Sequence, residues 1–271
     1  MPFHGRAVRG WVLGPTRDVP GRLLAVGKAV APVRFFDDEG LALARWMSAR
    51  YVSPLAAVLA RMTPPRVASE EVLPTALPRP VGAVEPSSPA LGDYADAAGL
   101  LACLRNPRAA AGAYLVRPAP DREVRDAVDL VASCLRSGRR AIVIVPEAAP
   151  VPATAAALVE AFGERVALFL GGSKRSRYRM WLDVRAGAYD VVVGTRPAVF
   201  APVGDLGLVY VSRESHTSHR EDRAPYYHVR DVAIDRARAA EAAGSASRGT
   251  KRSTTSGRAS AVPSRTSARM R

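Results

Sequence analysis

Four short, nearly unbroken aliphatic runs dominate the second half of this chain: AIVIV (141–145), VALFL (166–170), DVVVG (190–194) and LGLVYV (206–211). A strand that is apolar on both faces needs cover on both faces. The segments between these runs supply it, because ATAAALVEAFG (153–163) and SRYRMWLDVRAG (176–187) have helical length and periodicity. Upstream, ADAAGLLACLRN (95–106) and REVRDAVDLVASCLRSG (122–138) read as helices around a β-prone AYLV (113–116). The alternation predicts an α/β unit with a parallel sheet across residues 94–243.

The first third has a different pattern. AVRGWVLGPT (7–16) and RLLAVGKAVAP (22–32) are β-prone runs broken by Gly and Pro, which predicts a small twisted sheet. FFDDEGLALARWMSARYVSPLAAVLARM (35–62) spaces Leu41, Ala44, Arg45, Met47 and Tyr51 as on a helix, with Asp37 or Asp38 as N-cap and Pro54 opening a second helix. TPPRV closes this β-rich N-terminal module near residue 67. Residues 68–93 are rich in proline and lack an apolar period, so they read as a semi-extended linker. Residues 244–271 hold seven basic groups, no acid and few apolar side chains, and are expected to be a disordered basic tail.

The net charge of +14 favours an anionic partner, since Lys and Arg near phosphates release condensed counterions. Half of that excess sits in the tail, because 14 − 7 leaves +7 on the rest. Lysine occurs only at Lys28, Lys174 and Lys251, so part of the arginine content reflects GC-rich coding. Cys103 and Cys134 form no C-x-x-C pair, which argues against a structural zinc site and for a reducing compartment. With no signal-peptide pattern and no apolar run near the roughly 20 residues that span a bilayer, the chain reads as cytoplasmic, with no membrane partner.

Ligands of a parallel α/β sheet bind beyond the carboxyl ends of its strands. The segments placed there are RPAPDR (117–122), PEAAP (146–150), GGSKRS (171–176), GTRPAVFAP (194–202) and SRESHTSH (212–219). The succession IVIVPE, VALFLGG, DVVVGTRPAVFAPVGDLGLV and APYYHVRDVA resembles the first RecA-like helicase lobe of the PriA family of replication-restart proteins, also called primosomal protein N′. MPFHGRAVRGWVLGP and ARWMSARYVSPLAAVLARMTPPR look like that family's module for the arrested 3′ end of a nascent strand. The resemblance covers roughly residues 1–66 and 112–240.

It implies DNA, forked or single-stranded, as partner, with Phe3, Gly5, Arg6, Arg9 and Trp11 as contacts in the first module and Thr195 with Arg196 in the second. It further implies primosome proteins, the replicative helicase and single-strand binding protein as partners, and association with the nucleoid. Read from residue type alone, Phe3 and Trp11 are more readily core aromatics. Arg196 equally fits a solvated residue beside a turn shaped by Gly194 and Pro197.

The departures from the family concern its ATPase. Its phosphate loop ends Gly-Lys-Thr, whereas LVRPAPDREV has neither Gly nor Lys, and two prolines cost it amide donors. GGSKRS lacks the phosphate-loop spacing. The family's Asp-Glu-Glu-His, which holds Mg²⁺ and positions water, is replaced by Ser212, Arg213, Glu214 and Ser215. The family's opening strand, its Ser-Ala-Thr motif, its cysteine-rich zinc module and its second lobe are not matched. ATP, Mg²⁺ and zinc, expected for the full family, are therefore not supported by these residues, and the expectation is DNA binding without ATP hydrolysis. The alternatives are an ATP-dependent 3′–5′ DNA helicase and a decayed product without a stable role.

His216, His219 and His228 could be assembled into a metal site through H-x-x-H spacing, but no fourth ligand is evident, and structural histidines are the simpler reading. Ser215 beside His216 or His219 lacks a readable nucleophile elbow or oxyanion donor.

Overall fold

The computed structural model describes residues 2–3, 6–7, 10–17, 21, 26–73, 75–82, 84, 89–95, 97–106, 112–119 and 121–249, with backbone alone at 2–3, 6–7, 89–90 and 241–249. At the amino end, β1 (Pro2–Phe3) pairs antiparallel with β2 (Arg6–Ala7). Residues 10–17 and 26–33 form no strand, so among the described residues the expected β-rich module is limited to this two-stranded ribbon. Gly10, Gly14 and Pro15 punctuate the first run, and Val12 faces solvent; a β-prone run without a neighbour to pair with stays irregular.

Helices α1 (Asp38–Arg50) and α2 (Leu55–Met62) follow. Asp37 caps α1, its carboxylate accepting from Gly40 N at 2.8 Å, and Asp38 and Glu39 add negative charge to the first turn. The turn between the helices places Val52 at φ 48°, left-handed and 91% exposed. A β-branched residue is strained there without packing in return. Val52→Asn is expected to raise stability by about 1 kcal/mol, read by thermal unfolding.

After the short α3 (Ala68–Glu71), α4 (Ala97–Arg105) and α5 (Glu123–Arg136) lead into the sheet. Strands β3 (Arg140–Ile144), β4 (Val166–Phe169), β5 (Val191–Gly194) and β6 (Leu206–Val211) alternate with α6 (Ala153–Phe162) and α7 (Lys174–Arg185) and precede α8 (Val229–Gly249). All four strands are parallel, in the order β4-β5-β3-β6, with Ala141 opposite Val191 on one side and Leu208 on the other. The four apolar runs are thus the four strands. AYLV (113–116) is not a fifth: residues 112–119 are irregular, with Tyr114 and Leu115 exposed. Helix α8 continues to Gly249, so residues 244–249, expected in the tail, extend it; residues 250–271 lie outside the described set.

Period-two burial divides the sheet between two helical layers. Ala141, Val143, Val191 and Val193 pack with Leu104, Leu130, Val131 and Leu158 of α4, α5 and α6. Ile142, Ile144 and Val192 pack with Leu43, Met47, Val58 and Leu59 of α1 and α2 and with Val232 and Ala233 of α8. Each such aliphatic side chain stabilises by about 1.5–3 kcal/mol. Helices α1 and α2, expected in a module ending at residue 67, therefore share the core of the 94–243 unit.

The proline-rich segment is strapped across the amino ends of the strands. Ala76 N donates to Asp183 Oδ1 (3.2 Å), Arg79 N to Gly187 O (3.0 Å) and Gly82 N to Asp190 Oδ2 (3.2 Å). In return, Arg140 Nη2 donates to Arg79 O (2.7 Å) and Arg165 Nη2 to Gly82 O (3.0 Å). Asp190 joins both arginines, at 2.8 Å from Arg165 Nε and 3.8 Å from Arg140 Nε.

Candidate nucleic-acid interface

The opposite edge of the sheet, where β3, β5 and β6 end, gathers the residues singled out by sequence. After β6, Ser212 is buried and Arg213 adopts a left-handed φ of 49°. The Ser212 hydroxyl donates to Glu123 Oε1 at 2.6 Å, and Arg213 Nε lies 3.3 Å from Glu123 Oε2. A cleft of about 240 Å³ opens beside them, lined also by Pro146, Glu147, Pro150 and Thr154.

Glu123 is the first residue of α5 and Asp126 lies one turn on, so carboxylates already complement the positive end of that helix dipole. An incoming phosphate would meet Glu123 where a phosphate loop would offer amides and a lysine. Sequence reading overlooked Glu123, whose place at the start of the helix after LVRPAPD was the available signal.

Arg196, a proposed DNA contact, is turned inward. Its guanidinium donates to Ser218 O (2.8 Å), to Arg220 O and to Glu221 Oε2 (3.1 Å). Gripping a backbone phosphate would require giving up these bonds. Thr195 accepts from Ala198 N through its carbonyl at 2.8 Å and leads into the turn. Trp11 is half-buried against the core that α1 and α2 share with the sheet. Phe3 and Arg6 lie on β1 and β2 with only their backbone described, and Gly5 and Arg9 lie outside the described residues.

Arg196 supports a hairpin that sequence reading did not single out. Arg220 bridges antiparallel to His228, and Glu221 N donates to Tyr227 O at 2.9 Å. The nearly buried Glu221 carboxylate sits 3.1 Å from Arg196 and 3.6 Å from Arg61 of α2, and it accepts from Arg223 N at 3.2 Å. Tyr227 packs its ring on Phe200, with centroids 5.4 Å apart, while Tyr226 points outward and is 65% exposed beside exposed Arg220 and Arg223. A flat aromatic and two cations on a braced hairpin can stack a base and pair with phosphates. Only tertiary burial tells the adjacent Tyr226 and Tyr227 apart.

The three histidines brace this region. His219 is fully buried, and its Nε2 lies 2.8 Å from Ser212 O, which makes the Nε2–H tautomer the donor. Nδ1 of His216 accepts from Ser218 N (3.2 Å) and Nδ1 of His228 from Arg230 N (3.1 Å). Among the described residues, no group of three or more His, Cys, Asp and Glu side chains could hold a metal. Burial pulls the pKa values of His219 and His228 below the usual histidine value, with positive neighbours such as Arg196 and Arg230 acting in the same direction. The unfolded chain then binds protons that the folded one refuses, so stability falls as pH drops below about 6.5. His219→Gln is expected to flatten this acid limb, read from midpoints of chemical unfolding between pH 7 and 5.

Residues 1–64 match the family described as 3'DNA-binding domain (3'BD). Over 248 residues, 89% of its length, the chain is 38% identical to "Probable replication restart protein PriA" of Mycobacterium tuberculosis (strain CDC 1551 / Oshkosh), covering 37% of that protein. It is 36% identical over 244 residues to the protein of the same description from Mycobacterium leprae (strain TN), with 87% of this chain and 37% of the relative covered. A shorter match, 36% over 104 residues, joins 38% of the chain to 13% of "Replication restart protein PriA" of Bacillus subtilis (strain 168). The chain thus spans little more than a third of the curated relatives that it matches along most of its length. No helix among the described residues is long and apolar enough to cross a membrane.

Proposed function

Since this chain is PriA-like and corresponds to the N-terminal part of that replication restart protein, we propose that it binds DNA at arrested replication forks and takes part in primosome assembly and helicase loading without hydrolysing ATP. The observation that carries DNA binding is the match of residues 1–64 to a 3′ DNA-binding domain. Phe3, Gly5, Arg6, Arg9 and Trp11 are the proposed contacts of that part, Thr195 leads into the turn that presents Arg196, and Arg196 holds the hairpin that carries Tyr226. The absence of hydrolysis is supported by Glu123, which occupies the end of α5 and engages Ser212 and Arg213 where the family places its Mg²⁺-binding acids.

The test is fluorescence anisotropy with a labelled fork and a labelled single strand across a salt series. Affinity is expected to fall steeply with salt, and Arg6→Ala or Arg9→Ala to reduce the salt slope by about 1 each. Tyr226→Ala is expected to weaken single-strand binding about 5- to 100-fold, the loss of one stacked base. Salt-independent affinity, or none, would sink the reading. Saturable Mg²⁺-dependent ATP binding would overturn the reading without ATP hydrolysis and favour the alternative, an ATP-dependent 3′–5′ helicase.

A further inference from the structure

The strap across the amino ends of the strands is held at every third residue. Ala76, Arg79 and Gly82 donate their amides to Asp183, Gly187 and Asp190, and the Arg79 and Gly82 carbonyls accept from Arg140 and Arg165. A repeat of three is that of a polyproline II helix. The sequence imposes it locally: Pro78 and Pro80 fix their own φ at about −65°, and Leu77 and Arg79, each preceding a proline, are confined to extended backbone. The repeat sorts the side chains into faces. Val81 and Val84 pack on the core beneath α4, α5 and α6, and Pro78, in register with them, lies against Gly187. Leu77 and Pro80 form an outward face, with Leu77 81% exposed, Pro80 exposed and a spacing between them of about 9 Å. Among the described residues, no donor reaches the carbonyls of Leu77, Pro78 or Pro80. Closing the amino end of the sheet accounts for the anchored residues and for Val81 and Val84. It gives no use to a leucine and a proline held in line in solvent.

We propose that residues 77–80, LPRP, are a preformed ligand for the aromatic-lined groove of a partner protein that carries an acidic residue beside that groove. Flat aromatic rings take up the proline and leucine side chains of such a ligand, and ring N–H or O–H groups bond its free carbonyls. The acidic residue follows from Arg79, whose side chain is exposed. The acids around the strap are engaged elsewhere: Asp183 with Arg179 at 2.6 Å, Asp190 with Arg165 at 2.8 Å and Asp205 with Arg140 at 3.4 Å. No described acid pairs with Arg79, so its guanidinium is free for a carboxylate of the partner. Because hydrogen bonds from both sides hold the strap, the partner meets a segment that folding has already ordered.

The test places photoreactive p-benzoylphenylalanine at Thr75, exposed at the head of the segment, in the full chain, and irradiates it in an extract of the cells that express it. One dominant protein adduct is expected, its crosslinked peptide holding Trp or Tyr close to Asp or Glu. The synthetic octapeptide TALPRPVG, residues 75–82, should compete the adduct away, and a scrambled peptide should not. Leu77→Ser and Arg79→Glu should each reduce the adduct about tenfold or more, and Arg79→Lys should reduce it less than Arg79→Glu. Leu77→Ser should leave the thermal midpoint and the affinity for forked DNA unchanged, which separates this surface from DNA binding. No adduct above that formed from the same photoreactive residue at Val159, an exposed position on α6, overturns the proposal. So does an adduct to DNA, to a second copy of this chain or to a surface without aromatic residues, and so does one that survives both substitutions.

Discussion

Asp190→Ala is expected to lower the unfolding free energy by about 3 kcal/mol, the lower end of the loss seen when one partner of a buried ion pair is removed, because Arg140 keeps Asp205 at 3.4 Å. Asp190 is 4% exposed and holds Arg165 at 2.8 Å and Arg140 at 3.8 Å, while also accepting from Gly82 N. Its removal leaves two guanidiniums at the amino ends of β3 and β4 and releases the strap at Gly82. The measurement is urea unfolding at neutral pH, with hydrogen exchange at Gly82 as the local readout. Asp190→Asn, which keeps an acceptor for Gly82 but not the charge, should lose less. A loss below about 1 kcal/mol for alanine would mean that the ion pairs contribute no more than exposed ones do.

Glu221→Ala is the second large effect, about 3–5 kcal/mol by the same reasoning, and it reaches function. One nearly buried carboxylate joins Arg61 of α2, Arg196 of the turn after β5 and the backbone of Arg223. Without it, two cations repel each other across the base of the hairpin and the Tyr226 tip loses its brace. Midpoint unfolding should drop, and hydrogen exchange across residues 220–228 should accelerate ahead of the sheet. Freed from Glu221, Arg61 becomes available to phosphate, while Arg196 keeps its bonds to Ser218 O and Arg220 O. Total DNA affinity should therefore fall less than in Tyr226→Ala, even though stability falls more. Equal loss of both would show that the hairpin acts only through overall folding.

Much of the architecture was legible because burial on two faces forces a recognisable sequence. AIVIV, VALFL, DVVVG and LGLVYV can satisfy their side chains only as covered parallel strands, and each became one. Asp37 was legible as a cap because a short acid before an apolar period has one obvious use. AYLV misled because its composition is equally strand-like, but pairing depends on a neighbour that local composition does not specify. The proline-rich run misled in another way: prolines set its extended shape, while Asp183, Asp190, Arg140 and Arg165, about a hundred residues away in sequence for Asp183 and Asp190, make it part of the fold.

At the site, the expectation of altered phosphate-loop and acidic motifs was readable residue by residue, since such motifs are contiguous. The contacts around those residues were not. Glu123 and Ser212 are distant in sequence yet 2.6 Å apart, and Arg196 spends its donors on Ser218, Arg220 and Glu221. By itself the sequence determined the layered α/β unit, the basic character and the likeness to a replication-restart protein, because local period, composition and ordered motifs survive without coordinates. The tertiary structure alone decided which arginines act as clamps and which of two adjacent tyrosines faces solvent. Those depend on desolvation and on partners brought together across the chain, and neither is a property of any short stretch.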